Sequence, residues 1–187
     1  MTTLTPFYST RPSPFGPFSI VWNETATGPH IQRVFLSNAQ ALAEERVRAA
    51  WGAIQHGAHP LIADLAERMQ RFLEGEMLDF ELTGAALETC SAFQQRVLLA
   101  EHQIPRGWVS TYNRIAAHLG IPGGARAVGN ALAHNPFPIL IPCHRAIRAD
   151  GSLGGYQGGA AMKRALLERE GQIFTPTGEM LLRQVYY

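Results

Sequence analysis

Apolar positions recur along this chain with two different periods, and the change of period divides it. Phe18-Ser19-Ile20-Val21-Trp22 and Ile31-Gln32-Arg33-Val34-Phe35-Leu36 are short β-branched and aromatic runs that predict two strands, separated by turn formers from Asn23 to His30. Ahead of them, Pro6, Pro12, Pro14, Gly16 and Pro17 predict an irregular arm over residues 1–17. After them the spacing turns helical. Ser37 is placed to cap a helix from about Asn38 to Trp51, with Gln40 as capping-box partner, and Glu44, Glu45, Arg46 and Arg48 mark its wet face. Leu61, Leu65, Met69, Phe72 and Leu73 predict a second helix from Pro60 to Glu74, opened by a proline and stopped by Gly75. Leu78 to Leu82 alternates and reads as a short strand or an extended linker.

A domain boundary is placed near 82–90, giving an N-terminal domain over 1–88 and a C-terminal one over 89–187 that is mostly helical. Phe93, Val97, Leu98 and Glu101 define an amphipathic helix from Ser91 to Gln103, ended by Pro105. Ser110 is placed to cap the next, Thr111 to His118, with Ile115 and Leu119 inward. Gly120-Ile121-Pro122-Gly123 breaks it, and a further helix runs from about Gly124 to Ala133. Two short helices joined by a four-residue turn have the outline of a helix-turn-helix. The second is built of small residues (Ala125, Ala127, Gly129, Ala131, Ala133) with one long cation, Arg126, near its start. Such a helix can approach a groove closely, or it can simply pack in a core with Arg126 in solvent.

The 187 residues are 46% hydrophobic and 17% charged, a globular balance with enough chain for a core. No apolar run approaches the ~18 residues of a membrane span, and no basic-then-apolar leader opens the chain, so a soluble intracellular protein is expected. Two cysteines, Cys90 and Cys143, make neither a disulfide framework nor a zinc site, and no metal is expected. Cys90 reads as a buried small residue, and His56, His59, His102, His118 and His134 as surface or structural. The net charge of +1 conceals an asymmetry: residues 1–101 hold seven basic and eleven acidic side chains. Residues 102–149 hold five arginines (Arg106, Arg114, Arg126, Arg145, Arg148) and no acid. That block is what a surface facing a polyanion requires; the bland alternative is an apolar core that happens to lack acids.

Pro142-Cys143-His144-Arg145 ends the apolar run Ile139-Leu140-Ile141 and precedes a glycine-dense loop, Gly151 to Gly159. A nucleophilic cysteine needs positive charge, a helix N-terminus or a base nearby. His144 and Arg145 adjoin Cys143, and Pro142 suits the start of a helical turn whose N–H groups favour a thiolate. By composition alone a cysteine beside a histidine is more often structural than catalytic.

Taken with Phe93-Gln94, Ile104-Pro105, Arg126-Ala127-Val128-Gly129, Asn135-Pro136, Gly154-Gly155-Tyr156-Gln157-Gly158-Gly159 and Glu170-Gly171, the Ile-Pro-Cys-His-Arg stretch resembles the O6-alkylguanine-DNA alkyltransferases. The resemblance covers residues 90–172 closely and the first ninety only in layout. It implies a two-domain α/β protein, with an N-terminal RNase H-like domain carrying a small antiparallel sheet and a mainly helical, winged-helix-like C-terminal domain with the helix-turn-helix. It implies direct-reversal DNA repair: O6-alkylguanine, and O4-alkylthymine as well, is flipped from the duplex and its alkyl group moves irreversibly to the cysteine, once per molecule, without cofactor.

By position, Cys143 is the nucleophile, His144 the water-linked base, Glu170 the carboxylate that orients it, and Asn135 a member of that network. Thr111 and Tyr112 lie by the flipped nucleotide's phosphate, and the Tyr112 hydroxyl also donates to the leaving guanine. Arg126 fills the gap in the base stack, while Ala125, Ala127 and Gly129 face the minor groove. Leu132, Tyr156, Gln157 and Gly158 wall the pocket, with the Gln157 N–H directed at O6. Glycine at 158, where many bacterial members carry tryptophan, implies an open pocket that accepts benzyl-sized adducts. The implied partner is double-stranded DNA and the implied state a monomer in the cytoplasm, or also the nucleus of a eukaryote. Two competitors remain: an alkyltransferase-like protein that binds the lesion without repair, and a cysteine hydrolase.

Overall fold

A computed structural model describes residues 6–187, and the chain within it forms two compact units. One holds the chain up to Leu87 together with Pro136–Leu140; the other holds Glu88–Asn135 and Ile141–Tyr187. The sequence-based cut near 88 therefore lacks one feature, the short return of 136–140 to the first unit.

The first unit is a four-stranded sheet in the order β3-β2-β1-β4, built from β1 (Pro6–Arg11), β2 (Phe18–Thr25), β3 (Gly28–Leu36) and β4 (Gln55–His56). β1/β2 and β2/β3 are antiparallel, and β1/β4 is parallel. The expected irregular arm is thus corrected over Pro6–Arg11, an interior strand of the sheet, while residues 12–17 are irregular as expected and residues 1–5 lie outside the described residues. Proline is tolerated here because Pro6 stands at the strand's first residue and Pro12 follows its last, so no interior N–H is lost. The turn expected over 23–30 shrinks to the β2–β3 hairpin, whose positive-φ residue is Gly28.

Helix α1 (Ala43–Trp51) closes one face over Tyr8, Val21 and Phe35, with Trp51 edge-on to Phe35 at 5.7 Å. It begins five residues later than the pattern suggested, and Gln40 is not its box partner. Instead the Glu45 carboxylate accepts from the Leu42 N–H at 2.8 Å, while the Ser37 hydroxyl reaches across the intervening loop to accept from the Ala43 N–H at 3.0 Å. Helix α2 spans Pro60–Glu74 as expected, with left-handed Gly75 as its stop. Leu78 to Leu82 is not a strand; Arg68 holds it by donating to the Asp79 carbonyl at 2.9 Å.

The second unit is mixed helix with one small sheet: α3 (Ala92–His102), β5 (Ser110–Thr111), α4 (Tyr112–His118), α5 (Ala125–Ala133), β6 (Ala146–Ile147) and α6 (Gly159–Arg169), β5 and β6 being parallel. Ser91 caps α3, its hydroxyl accepting from the Gln94 N–H. The cap of α4 is Thr111 rather than Ser110: the Thr111 hydroxyl accepts from the Arg114 N–H, and the Ser110 hydroxyl donates to the Tyr186 carbonyl. Val109, Ile147, Leu167 and Met180 form a core cluster. The C-terminal segment closes over it, Val109 exchanging backbone hydrogen bonds with Gln184 and Tyr186 at 3.1 and 2.8 Å. Among the described residues no helix is long and apolar enough to cross a membrane, and no cluster of His, Cys, Asp or Glu is placed to hold a metal.

Candidate active site

The thiol turn is a single turn of 3-10 helix, Cys143–Arg145, set between the end of the apolar run and β6. That run does not form a named strand. Ile139 takes φ 77° and turns the chain instead. The Asn135 side chain donates to the Ile141 carbonyl at 3.2 Å and also hydrogen-bonds the Cys143 sulfur, fixing the turn from beneath. Two of the N–H groups credited with favouring a thiolate are engaged elsewhere: Cys143 N donates to Ile141 O and Arg145 N to Pro142 O, both at 2.8 Å.

Burial consequently governs the sulfur. It pushes the Cys143 thiol up to about 11, against the help of Asn135 and Lys163, with Glu101 adding to the rise. The expectation of a standing thiolate is corrected: at rest this is a neutral thiol, and its proton must be taken as the reaction proceeds.

A base for that step is assembled next to it. His144 is fully buried and its Nε2 lies 3.0 Å from Glu170 Oε1. An ionised carboxylate only accepts, so Nε2 carries the proton and Nδ1 is the basic nitrogen. Burial pulls the ring's pKa down although Glu170 acts to raise it, so His144 is neutral near neutral pH. Glu170 is in turn gripped by Arg145, whose Nε and Nη2 contact its two oxygens at 2.8–3.2 Å while Nη1 donates to the Ile104 carbonyl. Burial works to raise the Glu170 carboxyl, but His144 and Arg145 together carry it down to about 2. Because His144 is uncharged near neutrality, Arg145 is the partner that holds Glu170 ionised there. The sequence offers Arg145 only as a cation beside Cys143; its grip on Glu170, 25 residues further on, has no local signal.

The rest of that block divides. Arg145 is buried and Arg106 is half-buried, donating to Arg169 O, whereas Arg114, which donates to the Tyr187 backbone oxygen, Arg126 and Arg148 are exposed. Three of the five charges of that forty-eight-residue stretch thus face outward. Arg126 stands on the exposed face of α5 with Ala127, Asn130, Ala133 and His134, whereas Val128, Ala131 and Leu132 point inward. A groove of about 720 Å³ follows that outer face, lined by Gly123, Gly124, Arg126, Ala127, Gly129 and Asn130. Ala125 opens the helix and is half-buried. Asn130 was missed, since one polar residue in an alanine helix gives no periodic signal.

Thr111 is buried at the start of α4 with its hydroxyl used as the cap. Tyr112 follows it, its phenol pushed up to about 12 by burial first and then by Glu101 and Cys143, so that it keeps its proton near neutral pH. Its hydroxyl lies against Gly154, where a Cβ would come within 2.5 Å of it and where φ is +69°. The Tyr156 and His144 rings meet in a T-shaped arrangement with centres 6.3 Å apart, and the Tyr156 hydroxyl is buried. Gln157 and Gly158 are half-buried just before α6, and Leu132 is buried on the inner face of α5. The open pocket expected from Gly158 needs amendment: a Cβ there would strike Met162 Sδ, so a flexible thioether already takes part of the room.

Comparison with known proteins matches residues 92–172 to the family model of the 6-O-methylguanine DNA methyltransferase DNA-binding domain. A methylated-DNA–protein-cysteine methyltransferase of Methanothermobacter thermautotrophicus is 46% identical over 110 residues, which is 59% of this chain and 61% of that protein. Its namesake in Mycobacterium bovis is 38% identical over 165 residues, 87% of this chain and 91% of that one. The crystal structure of Mycobacterium tuberculosis OGT in complex with DNA superposes with a TM-score of 0.69 at 37% identity, over 88% of this chain and 93% of that chain.

Proposed function

This chain belongs to the methylated-DNA–protein-cysteine methyltransferase family, and from that premise we propose that it repairs O6-alkylguanine in duplex DNA by moving the alkyl group to Cys143 once and for good. The observation that carries this reading is the buried His144–Glu170 hydrogen bond of 3.0 Å directly after a buried cysteine.

The chemistry is a displacement at carbon. The Cys143 sulfur attacks the alkyl carbon, the bond from that carbon to guanine O6 breaks, and the electron pair leaves on the purine. A neutral thiol cannot do this unaided. His144, through Nδ1 and a bridging water, takes the thiol proton, and the ionised Glu170 stabilises the imidazolium that forms. The Tyr112 phenol, protonated because of its burial, supplies a proton to the departing guanine. A buried thiol reaches its target only if the base leaves the stack, so the damaged nucleotide is flipped into a pocket walled by Leu132, Tyr156, Gln157 and Gly158.

DNA binds along α5. Helices α4 and α5 act as the helix-turn-helix, the small outer residues Ala125, Ala127 and Gly129 lie along the minor groove, and Arg126 fills the space the base vacates, with Thr111 backing the phosphate contact. Small side chains and a lone cation read shape more than sequence, as lesion repair requires. O4-alkylthymine is a second substrate, the protein acts as a monomer, and the N-terminal unit is an RNase H-like domain that supports this machinery.

Intact-mass measurement after mixing with an O6-methylguanine duplex tests the reading. One methyl group gained per chain, mapped to Cys143 and absent in Cys143→Ala, is expected. Binding without a mass gain would indicate a lesion-binding protein, and repeated turnover a hydrolase; either overturns the proposal.

A further inference from the structure

Beneath the thiol turn lie two charged side chains that the displacement as described does not use. Glu101, in the last turn of α3, and Lys163, in α6, are each 0% exposed. Lys163 Nζ donates to the Ala146 carbonyl at 2.6 Å and reaches the Gly155 carbonyl at 3.4 Å, so it is anchored between the end of the thiol turn and the loop that carries Tyr156. Its ammonium also lies 6.0 Å from the centre of the Tyr112 ring. Glu101 is built differently. Neither of its carboxylate oxygens has a hydrogen-bond partner of good geometry among the described residues, and the Ala146 backbone offers only partial help.

A buried carboxylate without donors is costly as an anion and much less so as an acid. The groups facing it are Lys163 from α6, Arg145 and Cys143 from the thiol turn, Tyr112 from α4 and Tyr187 from the C-terminal segment. Burial pushes Glu101 up to about 8, and burial pulls Lys163 down to about 8. Near neutral pH the pair is therefore mostly a neutral acid and a cation, leaving one net positive charge by the sulfur. The charge matters because a thiolate develops there as the alkyl carbon is attacked.

We propose that Glu101 is a positioning residue for alkyl transfer: while it holds its proton, Lys163 acts on Cys143 as an uncompensated cation, and when it ionises it cancels that cation and slows the reaction. Nothing bonds to carbon at Glu101; it exchanges one proton with solvent, and the effect on the sulfur is electrostatic. The inference rests on Cys143 being the alkyl acceptor. It adds an alkaline limit to a reaction that thiol ionisation alone would only accelerate as pH rises.

The test is single-turnover methyl transfer from an O6-methylguanine duplex between pH 6.5 and 9, with wild type and Glu101→Gln, whose amide stays neutral throughout. Limbs common to both proteins cancel in the ratio of their rates, and the ratio is read up to about pH 8, because above that Lys163 itself loses its charge. As Glu101 ionises beside a Lys163 that is still charged, the Glu101→Gln to wild-type ratio should climb from near one at pH 6.5 to about twofold by pH 8. Superimposed profiles would overturn the role of Glu101 while leaving Cys143 as the acceptor, because methyl would still arrive. Absence of methyl on Cys143 at any pH would instead overturn the repair reading itself. Should the variant fold poorly, carbon-13 titration of the Glu101 carboxyl in the wild-type protein decides the matter. A midpoint well above the ordinary carboxylate range supports the proposal, and one within that range overturns it.

Discussion

Replacing Arg145 by methionine is the most exacting test of how this site is held together. The substitution removes a guanidinium that grips Glu170 through Nε and Nη2 at 2.8–3.2 Å, and it leaves a carboxylate whose side chain is 1% exposed. Methionine keeps much of the volume, so the loss is electrostatic. Breaking a buried pair from one side costs about 3–5 kcal/mol, because the surviving charge stays buried without its partner. Arg106, 4.0 Å from the same oxygen, and His144 at 3.0 Å soften this, which places the expected value near about 3 kcal/mol. For a chain of this length about 3 kcal/mol corresponds to a fall in Tm of roughly 6–12 °C. Differential scanning calorimetry reads it directly, and the control is the same change in a Glu170→Gln background, where no charge is stranded. The loss should shrink there by about 2 kcal/mol. A drop of only a degree or two, or equal losses in the two backgrounds, would show that Arg145 and Glu170 behave like an exposed pair and refute the reasoning.

His144 and Arg145 together set an acid limit: Glu170 lies at about 2 in the fold against 4.5 unperturbed, so its stabilisation is complete above pH 4.5 and lost as pH falls through about 2. Urea midpoints measured from pH 5 to 2 should record a loss on the order of 3 kcal/mol, and a flat profile would contradict it. Gly154→Ala should both destabilise the fold by more than about 1 kcal/mol and slow methyl transfer, since its Cβ would meet the Tyr112 hydroxyl at 2.5 Å with φ at +69°; a rate equal to wild type would show Tyr112 has no part in the transfer. O6-benzylguanine should inactivate the protein by yielding where Met162 yields, and Gly158→Trp should abolish that while sparing methyl transfer; no inactivation of wild type at high concentration counts against an adaptable pocket. Arg126→Ala should lower transfer from duplex DNA on the order of tenfold with unchanged Tm, as expected of an exposed side chain that acts only on DNA.

Legibility in the sequence followed how local each cause was. Helix α2 could be read to the residue because Pro60 and Gly75 are signals that act on their own neighbours. Cys143, His144 and Glu170 were legible through a motif, although the hydrogen bond that joins the last two spans 26 residues. What the pattern hid was decided at a distance. β4 is two residues long and exists only because β1 pairs with it. Helix α6 starts at Gly159, inside a stretch whose glycines argue for a loop, and the buried Met162, Leu166 and Leu167 that fix it come only later. Glu101 and Lys163 carry the charges that normally mark a wet face, and only their neighbours across the fold reveal them as buried. The thiol was misjudged for a related reason: adjacent cations are visible in a sequence, desolvation is not.

That desolvation bears on how a single-use molecule survives until it is needed. With the Cys143 thiol held at about 11, only roughly one molecule in ten thousand carries a thiolate at pH 7, and the thiolate is the form that peroxide, disulfides and stray electrophiles attack. A cysteine kept permanently reactive would be consumed by cellular oxidants before any lesion arrived. Burying it as a neutral thiol keeps it chemically quiet in storage, and its reactivity is released only when a base is delivered into the site beside it.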